Sequence, residues 1–518
     1  MNSDPAYYRT ASRTMPLTTD PLELFKAAAG GRADTALLES RDGNGRNNTQ
    51  SILLLQSALR IEGHGREVHL IPLTENGKRV IEALSPELNG LVEISHDADI
   101  VKVAFPSMDP TLSEFERLKA PGPADVLRLL ALRETSGEEL PLMLLGMFGY
   151  DFLDTFEQLP EAKRDNLNTP NMVFELPELL LHVDHPSEKI ELRTFGYLGN
   201  APDEVLLDET AALLAGLPAT KPGPPATSIP STLPSNLEID LNDEEYGDIV
   251  ATLKQNIVAG DVFQIVPSRT FHLPCDNPIS AYRHLRHMNP SPYLFYLNAG
   301  SFTLFGSSPE TCVRVDGDPK NVTLFPIAGT RPRGRKPDGS IDPDLDNRLE
   351  AELKLHKKEL AEHMMLVDLA RNDVARICEP GTRKVSRLLE IERYSHVMHL
   401  VSLVEGKLKS GFDALHAYLA TMNMGTLTGA PKVEAARLLR LHESDKRGPY
   451  GGAVGYLTSS GDMDTAIIIR SAVVKDGTAY VRAGAGVVYD SDPQAEADET
   501  SGKANAVLQA ILAAGGDA

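Results

Sequence analysis

The sequence predicts an α+β protein in which large antiparallel sheets pack against helices. Short apolar runs bounded by Gly-, Asn- and Asp-rich turns recur along the chain. The closing section strings such runs together, at 451–458, 465–474 and 479–488, with DG- and SG-type turns between them. That is an antiparallel meander rather than a βαβ series. A few longer stretches with helix start and stop signals stand apart from these runs. At 518 residues the chain exceeds what one hydrophobic core usually supports, so two domains or one large composite is expected.

In the first third, residues 35–40 read as a short strand and Asp42-Gly43-Asn44-Gly45 as a turn. Residues 52–55, 67–73 and 91–94 read as further strands. The run 142–152, LMLLGMFGYDF, has the pattern of a buried strand leading into a turn. Six prolines lie between Pro218 and Pro234, a density that excludes helix and central strand. The main boundary is placed there: residues 1–217 form an N-terminal portion, 218–241 a linker and 242–518 a second domain. Asn242 or Asp243 caps a helix over 244–259 that carries Ile249, Leu253 and Ile257 on one face and stops at Gly260. A strand over 261–269, a helix over 279–288, a break at Asn289-Pro290-Ser291-Pro292 and a hairpin from 293–297 and 301–305 follow. Residues 318–342 hold another strand and a polar loop. No internal repeat appears at periods of 20 to 50 residues.

Composition narrows the function. The hydrophobic fraction of 42% and charged fraction of 24% are those of a soluble globular protein. A net charge of −22 argues against nucleic acid or an anionic membrane as a bulk partner. Cys275, Cys312 and Cys378 are too few and too scattered for a disulfide framework or a zinc site. No signal pattern opens the chain and no apolar run approaches membrane-spanning length, so a cytoplasmic protein is expected.

The chemistry centres on residues 356–373, HKKELAEHMMLVDLARND, which read as one helix. Residues 364–370 are apolar except for Asp368, which predicts burial nearly all round. Glu359 and Glu362 are three apart and leave the same face. A second pair at this spacing, Glu496 and Glu499, follows the glycine-rich loop RAGAGV at 482–487. One Glu-x-x-Glu beside Lys357 and Lys358 is ordinarily a solvated face. The recurrence, the abrupt turn to apolar residues and the glycine loop point instead to two helices cupping one hard divalent ion. Carboxylate-only ligation suits Mg²⁺, and the missing Glu-x-x-His repeat argues against a di-iron bundle. The loop lacks a dinucleotide fingerprint. Its backbone N–H groups could approach a carboxylate, and the strand end Pro326–Thr330 offers a similar site through its non-proline amides, although turn glycines are the commoner reading. Arg470 and Lys503 either pair with internal acids or meet substrate carboxylates. His399 is either a satisfied core histidine or a proton-transfer group.

The ordered series IAGTRPRG (327–334), KELAEHMMLVDLARND (358–373), SHVMHL (395–400), GTLTGAPK (425–432), GPYGGAVGY (448–456) and RAGAGVVYDSDPQAEADET (482–500) resembles the chorismate-utilising enzymes. Within them it is most similar to the anthranilate synthase branch, over the chain from about Tyr246 onward. Upstream patches are LLES (37–40) and GMFGYD (146–151). The resemblance implies a composite chorismate-utilising-enzyme fold with an N-terminal regulatory portion. It further implies amination of chorismate at C2, loss of the C4 hydroxyl, and pyruvate elimination to give anthranilate. Mg²⁺ would be held by Glu362 and Glu499 with Glu359 and Glu496 beside them. Gly329, Thr330, Tyr450, Arg470, Gly484, Ala485, Gly486 and Lys503 match substrate-contacting positions. Glu310 matches the acid that protonates the departing hydroxyl, Thr426 lies near the same group, and His399 matches the residue tied to pyruvate elimination. Ala328 stands where the aminodeoxychorismate synthase branch has a nucleophilic lysine. Gln264 stands where isochorismate and salicylate synthases have a water-activating lysine. Both favour anthranilate synthase, with aminodeoxychorismate synthase component I or a non-catalytic regulatory relative as alternatives. No cysteine sits in a nucleophile elbow, so ammonia is expected from a separate glutamine amidotransferase subunit in a heteromer, such as a heterotetramer. Glu39, Ser40, Asn289, Pro292, Tyr293 and Leu294 resemble a tryptophan-binding feedback site, with Leu294 where Met is expected.

Overall fold

Short connections leave neighbouring strands no room for parallel crossovers, and every strand pairing among the described residues is antiparallel. The computed structural model describes residues 7–40, 49–88, 92–132, 141–220, 237–336, 338–394 and 397–516. The expected turn at 42–45 and the prolines from Pro222 to Pro234 lie outside these residues.

Pairing runs across the expected boundary. Strand Thr35–Glu39 lies between Gln50–His64 on one side and Tyr293–Asn298 on the other, with Glu39 opposite Leu294. Strand Met143–Phe148 lies between Met172–Asp184 and Ala453–Thr458. The cores are shared in the same way. One cluster joins Leu59, Leu127 and Phe148 to Val313, Val374 and Tyr418. A second joins Leu53, Leu181 and Leu192 to Tyr282, Val481 and Leu508. Part of the expected linker is ordered: Glu238–Ile239 pairs with strand Ser268–Pro274, and the Thr220 hydroxyl accepts from the Asp20 N–H at 3.2 Å.

Local signals account for much of the detail. Helix Asp243–Ala259 starts in a capping box between Asn242 and Glu245 and ends at Gly260 in the left-handed region. Helix Pro278–Met288 and the hairpin Tyr293–Asn298 with Thr303–Ser308 follow as expected. The strand expected at 91–94 spans Glu93–Asp97 instead, and Leu91 lies outside the described residues.

Three expectations are corrected. The stretch 261–269 is two strands, Gln264–Ile265 and Ser268–Pro274, because Pro267 has no N–H to continue a ladder. They pair with Gly429–Ala430 and Thr478–Gly484 respectively. The run 465–474 divides into Met463–Ile467 and Ser471–Lys475 around Arg470, whose φ is 50°. Helix Lys357–Ile377 is amphipathic rather than buried all round. His363, Leu366, Val367, Ala370, Asp373, Val374 and Ile377 face inward at helical spacing, while Met364 is 44% exposed. It packs on helix Ala414–Thr421 and strands Ile327–Pro332 and Val397–Lys407. Apolar composition did not specify which side those neighbours would cover.

Phe148 ties the two portions together. Its ring stacks on Tyr418 at 4.1 Å between centroids and meets Phe152 and Phe174 at 5.1 and 4.7 Å. Phe148→Ala is expected to lower stability by about 3–5 kcal/mol. Urea unfolding checks this: the midpoint falls while the transition stays single, because the core is common to both portions.

Candidate active site

The two acidic helices face each other. Glu359 and Glu362 leave the first turns of helix Lys357–Ile377, and Glu496 and Glu499 those of Pro493–Ala514. Burial raises the Glu362 carboxyl above its ordinary range, Lys358 opposes the shift, and the charges of Glu359, Glu496 and Glu499 add to it. Burial also raises Glu496, with Ser491 opposing and Glu499 adding. Among the described residues, no three of these carboxylates bring oxygens within 4.8 Å of one another. Side-chain cations stand beside them instead. Arg331 pairs with Glu359 at 2.7 Å, Lys503 with Glu499 at 2.7 Å, and Lys358 lies 3.9 Å from Glu362. Among the described residues, Glu359 Oε2 is buried without a hydrogen-bond partner. An all-oxygen donor set, excess negative charge and an orphaned acceptor fit a hard divalent cation such as Mg²⁺.

Gly329 shapes the floor. It makes a bulge in the pairing of Ile327–Pro332 with Val397–Lys407, so that Ala328 faces Leu400 and Thr330 faces His399. Its φ is 73°, and a Cβ there would stand 2.5 Å from Glu359 Oε2. His399 Nδ1 lies 2.9 Å from Thr330 Oγ1 and 3.4 Å from the Gly329 carbonyl oxygen. A carbonyl only accepts, so this pattern favours the tautomer with Nδ1–H, leaving the Nε2 lone pair free. Burial lowers the His399 pKa, the Gly329 contact opposes the shift, and Arg470 adds to it, which favours neutral imidazole.

Glu310 follows strand Thr303–Ser308 and is 8% exposed. Burial pushes its pKa up to about 7, with Thr426 and Lys503 acting in the opposite direction. Among the described residues, no hydrogen bond of good geometry reaches the buried Glu310 Oε1, Thr426 Oγ1 or Gln264 Oε1, although Thr426 stands close enough to Glu310 to favour its charged form. Lys503 Nζ donates to the Gly484 carbonyl at 2.9 Å while pairing with Glu499. Of the loop amides, Ala485 N–H is taken by the Pro267 carbonyl at 3.2 Å. A Cβ on Gly486 would lie 2.7 Å from Gln264 Nε2. Arg470 is half-buried in the left-handed region and, among the described residues, forms no ion pair with a carboxylate; Nη1 donates to the Lys503 carbonyl at 3.3 Å. Burial lowers its pKa, as for a desolvated cation lacking a close counter-ion. Tyr450 is buried, its pKa raised to about 12 by burial, and its hydroxyl points to Gly484.

A separate cavity of ≈ 420 Å³ is lined by Glu39, Ser40, Pro292, Tyr293 and Leu294, and also by Tyr456, Asp464, Arg314, Tyr394 and Ile327. Asn289 is not among its lining residues; it is the C-cap of helix Pro278–Met288. Glu39 is buried and accepts from the Tyr282 hydroxyl and from Arg286, both at 2.7 Å. The Tyr293 hydroxyl donates to Asp464 at 2.8 Å and lies 3.0 Å from Thr311, the residue after Glu310.

This arrangement has known counterparts. A family model described as chorismate binding enzyme matches residues 107–509. The chain belongs to the chorismate-binding enzyme family. Anthranilate synthase component 1 of Vibrio cholerae is 48% identical over 96% of this chain and 95% of its own, and that of Escherichia coli 46% identical over 96% and 95%. The crystal structure of anthranilate synthase component I from Streptococcus pneumoniae, 32% identical, superposes with a TM-score of 0.68 over 89% of this chain and 92% of its own. The menaquinone-specific isochorismate synthase from Escherichia coli, at 17% identity and a TM-score of 0.66 over 98% and 96%, shares the fold.

Seen as a chorismate-binding enzyme, the chain has supporting residues that the sequence did not single out. Arg331 lies within the IAGTRPRG motif, so a cation next to Thr330 was the available signal. Beneath the glycine loop, Glu443 accepts from Arg447 and Arg482 and from the Ser268 hydroxyl, all of them buried. Glu443 and Arg447 stand four residues apart, but Ser268 and Arg482 reach them from distant parts of the chain, where no local pattern marks them.

Glu310 also sets a stability prediction. Its folded pKa lies above the ordinary carboxylate value, so its ionisation opposes folding. The penalty is absent below pH about 4.5, grows between there and pH about 7, and levels off above. Glu310→Gln is expected to match the parent protein at pH 4 and exceed its stability at pH 8 by up to about 3 kcal/mol. Denaturant midpoints at the two pH values check this.

Proposed function

We propose that this protein is the synthase subunit of an anthranilate synthase, converting chorismate and ammonia to anthranilate, pyruvate and water at the first step of tryptophan formation. The near-full-length similarity to anthranilate synthase component 1 proteins supports this, as do Ala328 and Gln264. Alanine cannot be a nucleophile, and a glutamine amide cannot deprotonate water. One observation carries the chemical reading. Lys503 bridges the glycine loop and Glu499, and its charge reaches Glu310, so a carboxylate-holding loop, the acid pairs and a buried acid meet at one cation.

In this reading Arg470, with Gly329, Thr330, Tyr450 and the Gly484–Gly486 loop, holds the substrate carboxylates. Glu310 stays protonated up to pH about 7 and gives its proton to the departing C4 hydroxyl, assisted by Thr426. Ammonia adds at C2, water leaves, and aminodeoxyisochorismate results. Neutral His399 then takes the C2 proton through Nε2 as the bond from C3 to the enolpyruvyl oxygen breaks, which releases pyruvate and makes the ring aromatic. Glu362 and Glu499, with Glu359 and Glu496, would hold Mg²⁺, which supplies a Lewis acid and template against the ring carboxylate. Burial pushes the three thiols up to about 11–12, far from thiolate at neutral pH. Glutamine hydrolysis therefore falls to a partner subunit.

The ≈ 420 Å³ cavity is the proposed tryptophan site. A ligand against Tyr293 presses on a phenol hydrogen-bonded beside Glu310, a direct mechanical route for inhibition.

Turnover of chorismate with ammonium and Mg²⁺, followed by anthranilate fluorescence with and without tryptophan, tests the proposal; aminodeoxychorismate as product, or no turnover, overturns it. Glu362→Gln is expected to lose more than about 100-fold in kcat at saturating Mg²⁺ with unchanged circular dichroism. Ser40→Ala is expected to raise the tryptophan inhibition constant about tenfold, the equivalent of one lost hydrogen bond, in inhibition titrations.

A further inference from the structure

We propose that the hairpin of strands Gln50–His64 and Glu67–Pro72 carries a transition-metal site of its own, formed by Glu62, His64 and His69 and suited to a zinc-like divalent ion. Each of the three residues offers one ligand atom, and these atoms lie within 4.8 Å of one another. Pairing brings them together: Glu62 lies opposite His69, and His64 sits two residues on from Glu62, so all three side chains leave one face. The alternate residues Ile61, Val68 and Leu70 enter the core.

Several features prepare the site. The imidazoles of His64 and His69 lie 4.5 Å apart between centroids. Glu62 Oε1 is held by Arg60 Nε at 3.0 Å, while Oε2 faces His64 Nε2 at 3.3 Å. His69 Nε2 bonds Glu67 at 2.6 Å, which leaves a lone pair on Nδ1. Such a carboxylate–imidazole contact orients a metal-binding histidine. Lys102, opposite His69 on the next strand, has its charge matched by Asp97 at 2.9 Å. The turn is pinned by Asn171, which accepts from Gly65 N–H and donates its own N–H to the Gly63 carbonyl, both at 2.7 Å. Ligand atoms around zinc stand closer together than 4.8 Å, and the half-exposed His64 ring has room to close the difference.

The donor set decides the ion. Two nitrogens and one carboxylate with an open fourth position suit Zn²⁺, and in the laboratory Co²⁺ or Ni²⁺, whereas Mg²⁺ prefers oxygen alone. The site is therefore chemically separable from the four glutamates.

The test uses the full-length protein, stripped with EDTA and titrated with ZnCl₂ by calorimetry, and with CoCl₂ by its visible d–d absorption, both in excess Mg²⁺ to occupy all-oxygen sites. The parent protein is expected to take up about one equivalent that the His64→Ala/His69→Ala variant does not, with circular dichroism the same for both. A rise in melting temperature with zinc is expected in the parent alone. The proposal is overturned if the parent takes up no zinc under these conditions, or if the double variant binds as much. Glu62→Gln, which leaves both rings in place, is expected to weaken binding at least tenfold; unchanged affinity removes Glu62 from the ligand set.

Discussion

Repulsion among like charges is the constraint on which the cleft depends. Glu359, Glu362, Glu496 and Glu499 face one another in surroundings dry enough to raise two of them. The chain answers with Arg331, Lys358 and Lys503, and with neighbours that fix the helices. The bulge at Gly329 belongs to the same solution, because it brings backbone without a side chain against Glu359. The strand carrying Thr330 is thereby set against His399, so one steric concession serves both the acid pair and the proposed base.

The second constraint is the pairing of an N-terminal strand with C-terminal ones. Thr35–Glu39 lies beside Tyr293–Asn298, so the wall of the ≈ 420 Å³ cavity is drawn from both ends of the chain. Tyr293 is on that wall and also hydrogen-bonds beside the buried acid. A regulatory ligand there needs no long-range transmission to reach the proposed chemistry.

Much of this was legible in the residues. Caps announced helix Asp243–Ala259 at both ends because capping is local chemistry. Glutamates three apart announced a shared face. Other features were not local. Nothing within residues 364–370 tells which side of the helix its neighbours cover, so Met364 was misplaced. Arg470 fell inside one expected strand, 465–474, and only the folded chain shows it in a left-handed turn between two. The ties of Glu39 to Arg286 and of Glu443 to Ser268 and Arg482 depend on distant pairings that no motif encodes.

Because Thr35–Glu39 and Met143–Phe148 are each flanked by a strand from beyond residue 237, neither portion owns a finished sheet. Made as separate chains, residues before and after the proline-rich stretch would each expose unpaired strand edges and half a core. They would gain a stable shape only by docking on one another, so the molecule has the logic of an obligate dimer written into a single polypeptide.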